Sequence, residues 1–221
     1  METSRSSTFG FTLVEMAIVL IIIGLLLGGM LMPLSAQMEQ RRISETQKAL
    51  DEINQALIGF AVANKRLPCP STQTDPAATD YGAEDASCST APVADGYLPW
   101  KTLGVAELDA WGIPRTTTAA PWLGYWRYRV DRNFAVAFTL STGFVDNLAV
   151  KNSAGATLTT TTERPVAIIY STGPNKTADG LNATFDAIYQ SDTPSSAFDD
   201  ITIWVSRPIL FNRMVAANQL P

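Results

Sequence analysis

FTLVEMAIVLIIIGLLLGGMLMPL, running from Phe11 to Leu34, decides how the rest of this chain is read. Its only ionisable side chain is Glu15. At about 1.5 Å of rise per residue, a helix over this run reaches across the hydrocarbon core of a bilayer, so 11–34 is expected to be the transmembrane part of an N-terminal helix. The preceding METSRSSTFG is polar and ends in Gly10. A secretory signal peptide has a basic start, a shorter apolar core and a small-residue cleavage site after that core. None of these is present, so the processing point that the sequence suggests lies before the apolar run, and the helix is kept.

Glu15 needs an explanation in such a setting. A carboxylate near the start of a membrane helix costs a few kcal/mol unless it is paired. Either it meets a cation from a neighbour, or it sits at headgroup depth and reaches for water. Pro33, preceded by Gly24, Gly28 and Gly29, weakens backbone hydrogen bonding late in the run and is expected to kink the helix. The glycines alone would also allow close helix approach.

Past the apolar run, 35–66 is expected to continue as an amphipathic helix. Ile43, Leu50, Ile53, Leu57 and Phe60 recur at helical spacing, with Glu39, Arg41, Glu45, Lys48, Asp51 and Glu52 between them. Lys65-Arg66-Leu67-Pro68 ends it. This stripe would pack on a sheet and join the apolar segment to a head.

Composition narrows the function classes. The chain has 221 residues, a formal charge of −5 and no histidine. The acidic balance argues against nucleic acid as the main partner. Lack of histidine removes the commonest general base, the Ser-His and Cys-His pairs and most zinc sites, so no enzyme is expected. The two cysteines, Cys69 and Cys88, lie in a polar stretch beyond the apolar segment. Outside the cytoplasm they are expected to pair, which is worth about 3 kcal/mol for a loop of this size.

Residues 67–121 are rich in Pro, Gly, Asp and Thr and read as a long loop region pinned by that bridge. In 122–221 strands are expected over Tyr125–Asp131, Phe134–Ser141, Arg164–Ser171 and Ile201–Ser206, the first two forming a hairpin around Asp131-Arg132-Asn133, with a short helix over Ile209–Asn218. The fold class is therefore α+β, a long N-terminal helix packed on a mainly antiparallel sheet. Alternation over Tyr125 to Val130 places Trp126, Tyr128 and Val130 on one face and Tyr125, Arg127 and Arg129 on the other. The second face is expected to be a solvated basic one; an aromatic and arginine surface of this kind is also able to stack on single-stranded nucleic acid. Asn175, Asp179, Asp186, Asp199 and Asp200 put many oxygens in one loop region. They would suit a calcium ion, or else Asn175 and Asp199 simply cap loop amides.

The string Gly10-Phe11-Thr12-Leu13-Val14-Glu15-Met16, followed by the apolar run, resembles the signal of type IV prepilins and type II secretion pseudopilins. That resemblance implies a prepilin peptidase that removes the 1–10 leader between Gly10 and Phe11 and methylates Phe11. It implies Glu15 as the buried assembly carboxylate, paired with the terminal ammonium of a neighbouring Phe11. It also implies a single-pass protein of the bacterial inner membrane, surrounded by lipid, with its N-terminus cytoplasmic and its head periplasmic. Homologous subunits and an inner-membrane assembly platform would be its partners in building a filament. The runs Asp95-Gly96-Tyr97-Leu98-Pro99-Trp100, Leu103-Gly104 and Asp109-Ala110-Trp111-Gly112 are similar to a segment between helix and sheet in pilin-like heads, where Trp100 and Trp111 would plug the helix–sheet core. The acidic loop is similar to one that binds calcium in some of those heads. The expected role is a minor pilin or pseudopilin; the alternative is an adhesive or DNA-binding pilin-like module.

Overall fold

The computed structural model describes residues 10–86, 88–89, 96–184 and 186–220, with the side chains of 27–34 left outside that description. The leader before Gly10, the kink expected at Pro33 and the packing roles of Gly28 and Gly29 lie outside the described set. The chain divides into two compact units, Met1–Ile43 and Ser44–Pro221.

Helix α1 spans Leu13–Asn64. It ends where Lys65 turns into the left-handed region at φ 59° and donates its N–H to Ala61 O at 2.7 Å, just ahead of the helix-terminating Pro68. In the first unit, every described side chain from Phe11 to 26 is exposed, including Leu13 at 88% and Leu25 at 72%. Among the described residues no helix is long and apolar enough to cross a membrane. The run expected to do so, 11–34, continues into the 27–34 stretch whose side chains are not described.

In the second unit, Leu50, Ile53, Leu57, Ile58 and Ala61 of α1 are buried, following the apolar stripe expected from the sequence. Ile43 and Phe60 are only half-buried. The Arg66 guanidinium lies over the Phe60 ring at 5.2 Å. The buried stripe packs with Trp126, Tyr128, Val130, Ala167, Ile169 and Val205 in the main core. Those residues come from an antiparallel sheet of order β1-β2-β4-β6, with β1 at Gly96–Tyr97, β2 at Arg127–Val130, β4 at Pro165–Ser171 and β6 at Ile201–Ser206. Helix α3, Arg207–Ala216, closes this core with Leu210 and Met214. A parallel pair, β3 at Ala149–Lys151 and β5 at Ile188–Gln190, forms a second small sheet. Its Val150 and Tyr189 pack with Ile168 and Tyr170 from the other face of β4. Every residue of β4 is consequently buried, which explains its unbroken apolar run PVAIIYS.

The structure corrects one expected strand. Phe134–Ser141 is not a strand, and no hairpin forms at Asp131-Arg132-Asn133; a 3-10 turn occupies Arg132–Phe134. The Asp131 carboxylate accepts from the backbone N–H groups of Asn133 at 3.1 Å, Val145 at 3.0 Å and Asp146 at 2.9 Å. Those bonds terminate β2 and gather the following loop. The alternating aromatics that mimic a strand are instead loop anchors, with Phe134 against Phe138, Phe144 and Phe211 at 5.2, 5.7 and 6.1 Å between ring centroids. β2 pairs with the distant β1 and β4 instead.

The 67–121 region holds the Cys69–Cys88 disulfide, with a Cα separation of 5.7 Å, together with β1 and the short helix α2, Trp100–Leu103. Its anchor is an aromatic cluster of Tyr81, Trp100 and Tyr125, joined by Tyr97 and Trp122. Trp100 thus plugs this satellite cluster and not the helix–sheet core. Arg115 is buried over the Trp122 ring at 3.9 Å and donates to the carbonyls of Ala120, Thr74 and Thr118. A single guanidinium in this way ties three loop carbonyls together.

Candidate functional site

The N-terminal segment is organised around three residues, Gly10, Thr12 and Glu15. Gly10 is exposed, and a Cβ built there meets nothing within 4 Å. A side chain at position 10 therefore meets no steric conflict among the described residues. Thr12 is the N-cap of α1 and Glu15 the third residue inside it. Glu15 N–H donates to Thr12 Oγ1 at 3.2 Å, and Thr12 N–H donates back to Glu15 Oε2 at 2.8 Å. This reciprocal pair is a capping box, which satisfies two of the unpaired N–H groups at a helix start. Thr12 Oγ1 also donates to Glu15 Oε2 at 2.9 Å. Among the described residues Glu15 has no cationic partner. The sequence marks Glu15 as needing a partner, and the Thr12-x-x-Glu15 spacing is the local signal that one is supplied within its own chain.

The second constellation is drawn from the two connections that flank β5, from β4 to β5 and from β5 to β6. Gly173 takes φ 61°, and a Cβ there would lie 2.4 Å from Asp199 O. Only glycine lets the two loop strands approach this closely. Asp199 Oδ2 accepts from Asn175 N at 3.1 Å, and Asn175 Oδ1 accepts from Thr177 N at 2.6 Å. Both are the amide-capping contacts that sequence reasoning held as the alternative to a metal. Asp179, Asp199 and Asp200 nevertheless place carboxylate oxygens within 4.8 Å of one another. Asp186 stands apart, its Oδ1 accepting from Ile188 N at 2.7 Å at the start of β5.

Burial drives the Asp200 carboxyl up to about 7, and the charges of Asp179 and Asp199 add to this against the pull of the Asp179 N–H and the Asn182 amide. Asp200 Oδ2 takes those two donors at 3.0 and 2.9 Å, while its buried Oδ1 has no hydrogen-bond partner among the described residues. Three crowded carboxylates, one carrying a buried unpartnered oxygen, form a donor set that fits a hard divalent cation.

The basic strand face expected on β2 is not solvated. Trp126, Tyr128 and Val130 are buried as expected, but Tyr125 and Arg129 on the opposite face are buried too. Arg129 donates to Asp186 O at 2.9 Å, and Arg127 lies over the Tyr97 ring at 4.7 Å. The reason is the second layer: β3, β5 and the aromatic cluster cover this side of the sheet. The nucleic-acid surface drawn from Arg127 and Arg129 therefore does not exist in the folded head.

Asp109 has a structural role that the D-x-W-G run only hinted at. Its Oδ2 accepts from Ser171 Oγ at 2.6 Å and its Oδ1 from Trp111 N at 2.9 Å, tying the long loop to the end of β4.

Against known proteins, residues 5–31 match the family described as the prokaryotic N-terminal methylation motif, the prepilin signal of type IV pilins and pseudopilins. No curated protein and no solved structure matches the chain.

Proposed function

We propose, from the N-terminal methylation motif at residues 5–31, that this chain is a structural filament subunit, a minor pilin or type II secretion pseudopilin. The observation that carries this reading is the coincidence of that motif with a helix whose described apolar side chains are all exposed from Leu13 to 26. A surface of that kind needs an apolar surrounding, since each large aliphatic side chain left in water forgoes about 1.5–3 kcal/mol of burial. A bilayer supplies it before assembly and a bundle of like helices supplies it afterwards. The chain would cross the inner membrane with its N-terminus cytoplasmic and its head periplasmic.

In this account prepilin peptidase cuts between Gly10 and Phe11 and methylates Phe11. The cut leaves a cation one residue before the Thr12–Glu15 box. Glu15 Oε2 is committed to Thr12, so Oε1 is the oxygen left to meet the ammonium of a neighbouring Phe11. Such a pair in an apolar surrounding couples insertion of a subunit to its axial register. Homologous subunits and an inner-membrane platform are the partners of that step. The head, without histidine, serves as a displayed scaffold and not as a catalyst.

We assign calcium to Asp179, Asp199 and Asp200, where the ion would neutralise crowded carboxylates and lock the β4–β5 connection, which carries Asp179, onto the β5–β6 connection, which carries the other two. The filament reading is tested by shearing filaments from cells and probing them for this chain. Wild-type protein should appear in them and Gly10→Val should not; recovery of the uncut variant in filaments would overturn it.

A further inference from the structure

β6 ends the four-stranded sheet, and among the described residues no strand or bridge lies on its outer side. The opposite edge is treated differently. There Ser71 and Tyr97 exchange two backbone hydrogen bonds of 2.9 and 3.1 Å, closing β1. Edge strands that remain alone generally carry a charge or a proline that discourages a second chain. Ile201–Ser206 reads ITIWVS and carries neither.

The outer side of β6 opens into a groove. Thr202, Ile203 and Trp204 line a cleft of about 270 Å³ together with Asp51 and Asn54 of α1. Side chains alternate across a strand, so a cleft lined by three successive residues follows the backbone edge and not one face of the sheet. A second cleft of about 390 Å³ shares Asp51, Thr202 and Ile203 and continues past Gln47 to Asp192. The combined groove holds no lysine or arginine among its lining residues. Asp51 is exposed and has no partner among the described residues. Asp192 accepts from Ser153 N at 2.8 Å and Thr193 N at 2.9 Å, and the Ser153 side chain together with these two N–H groups holds its carboxyl below the usual range.

We infer that β6 and the facing stretch of α1, from Gln47 to Asn54, take an extended segment of another subunit as a fifth strand, with a lysine or arginine of that segment set against Asp51 and Asp192. Backbone pairing along the open edge supplies the attachment, and the two carboxylates select a basic occupant. The inference rests on the filament reading only in naming the donor as another subunit.

The test uses the full chain in detergent micelles with the probe peptide acetyl-Lys-Val-Thr-Val-Lys-Val-amide and its counterpart with glutamate in place of lysine. Hydrogen–deuterium exchange over 201–206 should slow at least tenfold with the lysine peptide and stay unchanged with the glutamate peptide. Asp51→Asn, an exposed position, should weaken binding about tenfold while leaving the peptide-free exchange pattern as it is. Unchanged exchange at saturating peptide, or protection of the outward-facing amides of 201–206, those not bonded to β4, before any peptide is added, overturns the proposal. The readout needs neither cleavage nor assembly, so its failure is distinct from failure of the filament reading. A photocrosslinking residue at position 51 in cells then identifies the donor: an adduct with another pilin-like subunit supports the assignment, and an adduct with any other protein, or none, overturns it.

Discussion

Glu15 Oε2 accepts from both the backbone N–H and the hydroxyl of Thr12, at 2.8 and 2.9 Å, so the carboxylate proposed to direct assembly also caps its own helix. The two duties separate by substitution. Glu15→Gln keeps an acceptor for the Thr12 N–H and removes the charge; it should leave amide exchange at 12–16 nearly unchanged and abolish filament incorporation. Thr12→Ala should cost the helix start about 1 kcal/mol, seen as faster exchange at 13–16, with Thr12→Ser largely restoring it.

The two units should respond differently to loss of apolar volume. Leu57 is fully buried in the main core, and Leu57→Ala should destabilise the head by about 3 kcal/mol. Leu25 is 72% exposed, and Leu25→Ala should leave head unfolding unmoved. All five tryptophans lie in the head, so urea titration followed by tryptophan fluorescence reads this difference directly.

Arg66 and Glu84 form a two-pronged ion pair at 2.8 and 2.9 Å, and Glu84 also accepts from Cys69 N at 3.1 Å beside the disulfide. Burial alone would raise the Glu84 carboxyl, but the Arg66 and Cys69 bonds outweigh it and hold the group below its ordinary 4.5. A carboxyl lowered in the folded state contributes stability that is present above its unfolded value and fades as pH falls through the folded one. Glu84→Gln should therefore cost about 1 kcal/mol at pH 7, a modest figure because the pair is partly exposed, and the difference from wild type should vanish as pH drops below 4.5. Paired urea titrations at several pH values measure it; a constant difference down to strongly acidic pH would contradict the pairing.

Calcium at millimolar concentration should raise the unfolding temperature of the wild-type head, and a chelator should reverse this. In Asp179→Ala the shift should disappear, whereas in Asp186→Ala it should persist, because Asp186 stands apart from the cluster. Calorimetry with and without the ion checks it, and an equal shift in both variants would place binding elsewhere.

Local signals carried much of this structure. The buried stripe of α1, strands β2, β4 and β6 and the final helix all follow from apolar periodicity and turn residues that act over a few positions. The segment Phe134–Ser141 has strand-like alternation, but its aromatics answer to Phe211, far along the chain, and the Asp131 carboxylate gathers the backbone on either side of it, at Asn133 and Val145. The burial of Arg129 and half-burial of Arg127 were equally out of reach, since β3 and β5 are too short to announce themselves and their packing helps to cover that face. In the acidic loop the residue types were readable, and the separation of Asp186 from Asp179, Asp199 and Asp200 depends on the path of the chain between them. Arg115 gave no signal at all: an isolated arginine in a threonine-rich loop reads as solvated until the carbonyls around it are seen.

The most direct test of the account is the intact mass and N-terminal sequence of the protein produced with and without an active prepilin peptidase, alongside Gly10→Val. A Cβ at position 10 meets no steric conflict among the described residues, so a blocked variant reports on the peptidase and not on folding. The account predicts loss of the first ten residues, a methylated Phe11 and no cleavage of the variant. Persistence of Met1 in the presence of an active peptidase would contradict it.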